Sequence, residues 1–185
     1  MRLFVALELS EEIRGGLQQL LARLERVRAD VRWVRAEGMH LTLKFVGEVP
    51  PEKLPPIEQA LGAVNSAAPV QVRFRGLGFF PGPRRPRVVW VGVEASDNMA
   101  PLAAQVEAEL EPLGIAREKR AYVPHLTLGR FKSDARLPRL QEEIAALGEV
   151  ELGGLEAKSF TLFQSKLTPG GAVYTPLRQF HFVRD

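Results

Sequence analysis

The sequence contains no cysteine, which excludes disulfide bonds, thiolate metal sites and a cysteine nucleophile. Long apolar runs are also missing, so we predict no membrane-spanning helix. Glu11 and Glu12 follow the short apolar start of the chain, where a secretory signal would need small residues, and we therefore expect a cytoplasmic protein. Only three histidines are present, at positions 40, 125 and 181, which leaves few side chains that titrate near neutral pH.

The sequence contains enough apolar residues to form a sizeable hydrophobic core. It has 185 residues, of which 45% are hydrophobic and 25% charged, in the range of a single folded domain or two small lobes. The formal net charge is +3, carried mainly by arginine. Guanidinium groups suit phosphate oxygens, so this charge permits nucleic-acid binding without requiring it.

Hydrophobic periodicity predicts four helices interleaved with about eight strands. The helices are expected over residues 11–28, 57–67, 99–113 and 137–147, with Ser10 and Asn98 as caps of the first and third. The strands are expected over residues 2–8, 31–34, 39–46, 70–76, 87–94, 122–131, 155–167 and 172–183, and the Pro-rich segment Phe79 to Pro86 is expected to be an irregular loop. This pattern indicates an α+β or mixed α/β architecture, with helices covering one face of each sheet.

The strongest signal is a repeated tetrapeptide, His-Leu-Thr-Leu, which occurs at residues 40–43 and again at 125–128. Successive side chains of a strand point to opposite faces, so His40 and Thr42 share one face, and His125 and Thr127 do likewise. If the leucines face the helices, each imidazole and its neighbouring hydroxyl face a ligand or solvent. His181 has no threonine two residues later, and we expect it to be a strand-end residue of structural or no particular importance.

Two such units on either side of a phosphate suit phosphodiester hydrolysis. Water attacks phosphorus in line with the departing oxygen, so one histidine accepts the proton from water and the other donates a proton to the leaving group. Thr42 and Thr127 would hydrogen-bond the charged phosphoryl oxygens. The residues themselves leave open which histidine is the acid and which is the base, because the two units are nearly symmetrical.

Two other classes of function compete with this interpretation. A non-catalytic RNA-binding module would use basic and aromatic surface, but it has no reason to repeat the His-x-Thr pattern. A metal site would want carboxylates or further histidines near each motif, and neither motif has them in the sequence. We therefore expect metal-independent chemistry without a cofactor.

The paired His-x-Thr motifs, half a chain apart, resemble those of the two-histidine phosphoesterase superfamily. The sequence is similar in particular to the RNA 2′,3′-cyclic phosphodiesterases of bacteria and archaea, also called 2′-5′ RNA ligases. The resemblance covers nearly the whole chain, with matches at residues 2–7, 33–34, 40–47, 87–92, 124–130 and 162–182. It implies one bilobal catalytic domain over residues 1–185, in which two pseudo-symmetric lobes, each an antiparallel-rich sheet backed by helices, enclose the active site in a central cleft.

The resemblance also implies roles for individual residues. His40 becomes the proton donor and His125 the proton acceptor, Thr42, Thr127 and Arg130 contact the phosphate, and Phe45 stacks on a base. For Phe45 and Arg130, strand alternation disagrees with the roles that the resemblance implies. Each lies five residues after its histidine, and this odd offset places both on the leucine face unless a bulge changes the direction of their side chains.

The implied reaction opens a 2′,3′-cyclic phosphate at an RNA end to a 2′-phosphate, by a protein that is expected to be a monomer. The same opening with an RNA 5′-hydroxyl in place of water would be an ATP-independent 2′-5′ ligation. A related enzyme acting on another cyclic phosphate, such as ADP-ribose 1″,2″-cyclic phosphate, is the nearest alternative. In the loop from Phe79 to Pro86, Arg84 and Arg85 either guide an RNA backbone or are simply solvated.

Overall fold

Two antiparallel sheets, each backed by helices, make up the computed structural model, which describes residues 1–182. Within these residues the strands are β1 Arg2–Leu7, β2 Val31–Trp33, β3 Leu41–Glu48, β4 Val70–Phe80, β5 Val88–Ala95, β6 His125–Phe131, β7 Glu151–Ala157, β8 Ser159–Thr168 and β9 Gly171–His181. The helices are α1 Glu11–Glu25, α2 Leu54–Leu61, α3 Met99–Leu110 and α4 Leu137–Leu147. In this part of the chain no helix is both long and apolar enough to cross a membrane.

The sheets draw their strands from both halves of the chain. The four-stranded sheet has the order β3-β1-β8-β9, and the five-stranded sheet has the order β2-β6-β5-β4-β7. Neighbouring strands pair antiparallel throughout the described residues. Helices α2 and α3 pack together with α3 against β3, whereas α1 contacts α4 and β7. The α+β prediction is confirmed, and the two His-Leu-Thr-Leu motifs lie in different sheets.

Alternation along the strands separates a core face from an open face. In β1, Leu3, Val5 and Leu7 are buried in the main hydrophobic core, which also holds the leucines of both tetrapeptides. Phe4 belongs instead to a small second cluster on the opposite face of the four-stranded sheet. The leucines therefore anchor both motif strands in the core and leave the open faces for the polar residues between them.

The predicted caps differ in outcome. Ser10 caps α1, since its hydroxyl accepts a hydrogen bond from the Ile13 amide at 3.3 Å. Asn98 occupies the N-cap position of α3, as predicted, but its side chain makes no capping hydrogen bond. Its amide instead donates to the Ala68 and Pro69 carbonyls at 3.0 and 3.1 Å, which ties down the chain before β4.

Several predicted boundaries were wrong, for identifiable reasons. Phe79 and Phe80 lie in β4 and not in a loop, because the strand continues past a bulge next to Gly76, which has a positive φ of 74°. The segment predicted as one strand over residues 155–167 is divided between β7 and β8, which belong to different sheets. Helix α2 starts earlier than predicted, since prolines are tolerated in the first turn of a helix. The predicted last strand runs to Val183, which lies outside the described residues.

Candidate active site

The first motif places His40 against an aromatic wall. His40 directly precedes β3, and its ring centroid lies 4.4 Å from that of Phe163, 5.7 Å from Phe4 and 5.4 Å from Tyr174. Tyr174 approaches so closely that a Cβ on Gly38 would lie 2.9 Å from its ring. The wall holds the imidazole in one position and removes most of it from water.

The surroundings of His40 lower its pKa from 6.5 to about 4. Burial is the largest cause, because a desolvated imidazole resists becoming charged, and the nearby Arg14 guanidinium adds to the effect. The Gly38 carbonyl and the Glu8 carboxylate act in the opposite direction. In the free protein His40 is therefore neutral at pH 7, and an anion bound beside it would favour its protonation.

The second motif is more open. His125 is the first residue of β6 and is exposed, whereas Thr127 is half-buried. Across the sheet, His125 pairs with Gly92 and Thr127 with Trp90 on β5. Because directly paired residues share a face, the imidazole and the hydroxyl both lie on the open side of the five-stranded sheet, as the alternation predicted.

Both histidines are held by the same local hydrogen bond. The Nδ1 atom of His40 lies 3.1 Å from the Gly38 carbonyl, and that of His125 lies 3.0 Å from the Val123 carbonyl, in each case two residues earlier. A carbonyl oxygen only accepts, so Nδ1 carries the proton in each neutral ring. Nε2 is then the nitrogen that exchanges a proton with a ligand, which is the arrangement that acid–base chemistry needs.

A β-bulge at the same place in each motif determines on which face of its sheet Phe45 or Arg130 lies. In β3, Thr42 pairs with Ala6 and Lys44 with Val5, so Leu43 is an extra residue. This shift returns Phe45 to the open face, opposite Phe4, with the two ring centroids 6.3 Å apart. The alternation expected for an unbroken strand was therefore wrong for Phe45.

The second strand repeats this bulge. Thr127 pairs with Trp90 and Gly129 with Val89, which leaves Leu128 as the extra residue. Arg130 then pairs with Val88 and shares the open face with His125, although its offset from that histidine is odd. The structure thus places each His, its Thr and the residue five positions after the His on one face of its sheet.

The two motifs are tied together by the segment that precedes His125. The Tyr122 hydroxyl donates a hydrogen bond to the Thr42 backbone carbonyl at 3.0 Å. Burial raises the pKa of the Tyr122 phenol, which keeps the hydroxyl protonated as a donor. Since β3 is an edge strand, its carbonyl is free to accept this bond from outside the sheet.

A buried ion pair supports the same connection. Lys44 is 2% exposed, and its ammonium group lies 2.8 Å from the Glu107 carboxylate and 2.6 Å from the Ala116 carbonyl. Glu107 is on α3, and Ala116 lies in the segment that leads to His125. Lys44 therefore fastens this segment to the strand that follows His40.

Arg14 organises the turn that leads into His40. From α1, its Nη1 atom donates to the carbonyls of Ala36, Glu37 and Met39 at 2.8, 3.1 and 3.2 Å. His40 uses the fourth carbonyl in this run, that of Gly38. All four carbonyls are thereby fixed, which orients the peptide that carries His40.

Sequence reasoning missed Arg14, Tyr122 and Lys44. A lysine within an apolar strand was a usable signal for Lys44, since a charge in such a place needs a partner. Arg14 gave no signal, because its hydrogen bonds reach a turn that is distant in sequence. His181 lies at the end of β9, paired with Ser159 and away from both motifs in the strand order. No three His, Asp or Glu side chains among the described residues are grouped so as to hold a metal ion.

Comparison with known proteins finds the same duplication. The family model described as LigT like Phosphoesterase matches the chain twice, over residues 7–90 and 91–174. The first match contains His40 and the second contains His125.

Curated relatives match over almost their whole length. An RNA 2′,3′-cyclic phosphodiesterase of Archaeoglobus fulgidus is 39% identical, covering 97% of this chain and 99% of the relative. A protein with the same description from Methanothermobacter thermautotrophicus is 37% identical, covering 97% of each chain.

Solved structures share the fold. A crystal structure from Thermus thermophilus is similar with a TM-score of 0.80 and 34% identity, covering 98% of each chain. The crystal structure of E. coli LigT complexed with 3′-AMP is similar with a TM-score of 0.78 and 27% identity, covering 99% of this chain and 98% of that one.

Proposed function

This chain belongs to the LigT-like phosphoesterase family, and we propose that it hydrolyses the 2′,3′-cyclic phosphate at the end of an RNA strand to a 2′-phosphomonoester. The observation that carries the proposal is the matched construction of the two motifs. Each has Nδ1 of its histidine bound to the carbonyl two residues earlier and a bulge directly after its threonine. The substrate is taken from the relatives, whose descriptions state RNA 2′,3′-cyclic phosphodiesterase activity.

In this mechanism the two imidazoles lie on opposite sides of one phosphorus atom. Nε2 of His125 accepts a proton from the attacking water, and the new bond joins the water oxygen to phosphorus. The bond from phosphorus to the 3′-oxygen breaks, and Nε2 of His40 donates a proton to that oxygen. The products are a 3′-hydroxyl and a 2′-phosphate.

His40 starts as a neutral group, so the substrate must help to charge it. The cyclic phosphate carries a negative charge, and its arrival beside His40 favours the imidazolium form. Thr42 and Thr127 donate hydrogen bonds to the non-bridging oxygens, and Arg130 balances their charge. Phe45, with 64% of its surface exposed, offers a ring on which the terminal base stacks.

The same two histidines support RNA joining. An RNA 5′-hydroxyl in place of water would attack phosphorus, with His125 accepting its proton and His40 donating a proton to the leaving 3′-oxygen, which gives 2′-5′ ligation without ATP. Ligation requires no further group beyond those named for hydrolysis.

The test is to incubate the protein with an RNA oligomer that ends in a 2′,3′-cyclic phosphate, with and without excess EDTA. We expect a 2′-phosphomonoester in both cases, identified by its chromatographic mobility and its resistance to 3′-specific phosphatase. A 3′-phosphate product would show that the other phosphoester bond breaks, and loss of activity with EDTA would overturn the metal-independent mechanism. Faster opening of ADP-ribose 1″,2″-cyclic phosphate would reassign the substrate.

A further inference from the structure

One half of the five-stranded sheet carries arginines without carboxylate partners. Arg32 on β2 pairs directly with Arg130 on β6, and both side chains are exposed. Neither guanidinium group has an ion pair or a side-chain hydrogen bond within residues 1–182. Like charges placed directly opposite each other destabilise a sheet, so folding gives no reason for this arrangement.

On the other half of the same open face, the arginines form ion pairs with glutamates. Arg73 on β4 pairs across the sheet with Glu94, and its guanidinium group contacts Glu151 at 2.6 and 3.0 Å. Arg75 next to it is bound to Glu149. Among residues 1–182, positive charge is therefore neutralised on β4 but lacks carboxylate partners at Arg32 on β2 and at Arg130 on β6, the strand that also carries His125. This difference marks the β2–β6 part of the open face for an anionic ligand.

Aromatic rings lie in the same place. Trp90 pairs with Thr127 on one side and with Gly78 on the other, and its ring occupies the space over Gly78, where a Cβ would come within 2.1 Å of it. Phe80 is 56% exposed and pairs with Val88, the residue that also pairs with Arg130. Cross-strand pairing thus forms a row from Arg32 through Arg130 and Val88 to Phe80, next to the row that holds Thr127 and Trp90.

We propose that this open face, formed by Arg32, Phe80, Trp90 and Arg130, binds the RNA strand on the 5′ side of the cyclic phosphate. Arg32 contacts a backbone phosphate beyond the one that reacts, and Trp90 and Phe80 stack on bases, a combination that suits single-stranded nucleic acid of any sequence. The cyclic phosphate is the 3′ end of the strand, so the remaining nucleotides extend in the 5′ direction only. This inference rests on the proposed function and extends it from the terminal nucleotide to the preceding ones.

The kinetic test compares Arg32→Gln with the matched variant Arg73→Gln. Each is assayed on a nucleoside 2′,3′-cyclic phosphate and on a short RNA oligomer with the same terminal group. We expect Arg32→Gln to lower kcat/KM for the oligomer about tenfold, a larger factor than for the mononucleotide, and to reduce the salt slope of log kcat/KM by roughly one. Arg73→Gln should change neither the ratio of kcat/KM for the oligomer to kcat/KM for the mononucleotide nor the salt slope. If Arg32→Gln lowered kcat/KM by the same factor on both substrates, the proposal would be overturned.

Folding gives an independent readout for Arg32. Because the residue directly opposite Arg32 in the sheet is another arginine, Arg32→Gln should leave the melting temperature unchanged or raise it. A clear fall in melting temperature together with equal loss on both substrates would make Arg32 a structural residue.

A binding measurement separates failure of this proposal from failure of the proposed function. RNA oligomers ending in a 2′-phosphate need no turnover, and their binding is measured by fluorescence anisotropy in Phe80→Ser and Trp90→Phe variants. We expect affinity for the oligomer to fall about fivefold or more in Phe80→Ser, and less in Trp90→Phe, which keeps an aromatic ring. Tight oligomer binding without hydrolysis would refute the proposed function alone, whereas hydrolysis with unchanged binding in Phe80→Ser would refute the docking surface alone.

Discussion

The Tyr122 hydroxyl donates a hydrogen bond of 3.0 Å to the backbone carbonyl of Thr42. Tyr122 lies three residues before His125 and Thr42 lies two residues after His40, so this bond joins the neighbourhoods of the two histidines across different sheets. The chain that separates them in sequence is long, and this contact limits how far they can move apart.

Tyr122→Phe should therefore slow the chemical step while leaving the fold intact. Loss of one hydrogen bond is expected to lower the free energy of unfolding by about 1 kcal/mol. A small displacement of His125 should lower kcat more than it raises KM, measured by steady-state kinetics on a nucleoside 2′,3′-cyclic phosphate. An unchanged kcat would mean that the bond has no part in positioning.

Lys44→Met tests the buried ion pair. Removing Lys44 leaves the Glu107 carboxylate largely buried and without its cation. This should lower the free energy of unfolding, measured with urea, by about 3–5 kcal/mol. The matched control is Lys158→Met, whose pair with Glu156 is exposed on both sides and should contribute only about 0–1 kcal/mol. The double variant Lys44→Met with Glu107→Leu removes both charges and should therefore recover part of the lost free energy of unfolding. Similar destabilisation in the Lys44 and Lys158 variants would contradict this account.

The low pKa of His40 makes stability depend on pH in a defined window. In the unfolded chain His40 takes up a proton near pH 6.5, whereas in the fold it does so only near pH 4. The unfolded state therefore binds more protons between these values, and stability is lost as the pH falls from 6.5 towards 4. Urea unfolding over this range should show a steeper loss in the wild type than in His40→Asn. Equal slopes would show that His40 is not perturbed.

Arg14→Gln should raise the pKa of His40. The substitution removes a positive charge near the imidazole and the three hydrogen bonds that fix the preceding turn. NMR titration of the imidazole measures the shift, with Arg23→Gln as the control, because Arg23 lies on the same helix but pairs with Glu143. A pKa of His40 that falls or stays constant in Arg14→Gln would contradict the electrostatic assignment.

The two motifs could be predicted from the sequence because strand alternation is a local rule. His40 with Thr42, and His125 with Thr127, lie on open faces as that rule requires. The rule failed at Phe45 and Arg130, since a bulge depends on how a strand pairs with its neighbour and leaves no mark in the sequence of one strand. The resemblance to a family supplied these two residues where alternation could not.

Contacts between distant segments could not be predicted. Arg14 reaches carbonyls of residues 36–39, and Tyr122 reaches a carbonyl of β3, and neither kind of bond has a sequence pattern. The break between β7 and β8 was missed for a similar reason. The residues around Ala157 and Lys158 look like continuous strand, and only the pairing partners assign them to different sheets.

The central claim is that His40 and His125 act together on one phosphate, and a double-mutant comparison tests it most directly. We expect His40→Asn and His125→Asn each to lower kcat by about 10²–10⁴, measured on an RNA oligomer ending in a 2′,3′-cyclic phosphate. The double variant should be little slower than the slower single variant, because groups that act as a unit are not additive. Near wild-type kcat in either single variant, or losses that simply multiply in the double variant, would contradict the claim.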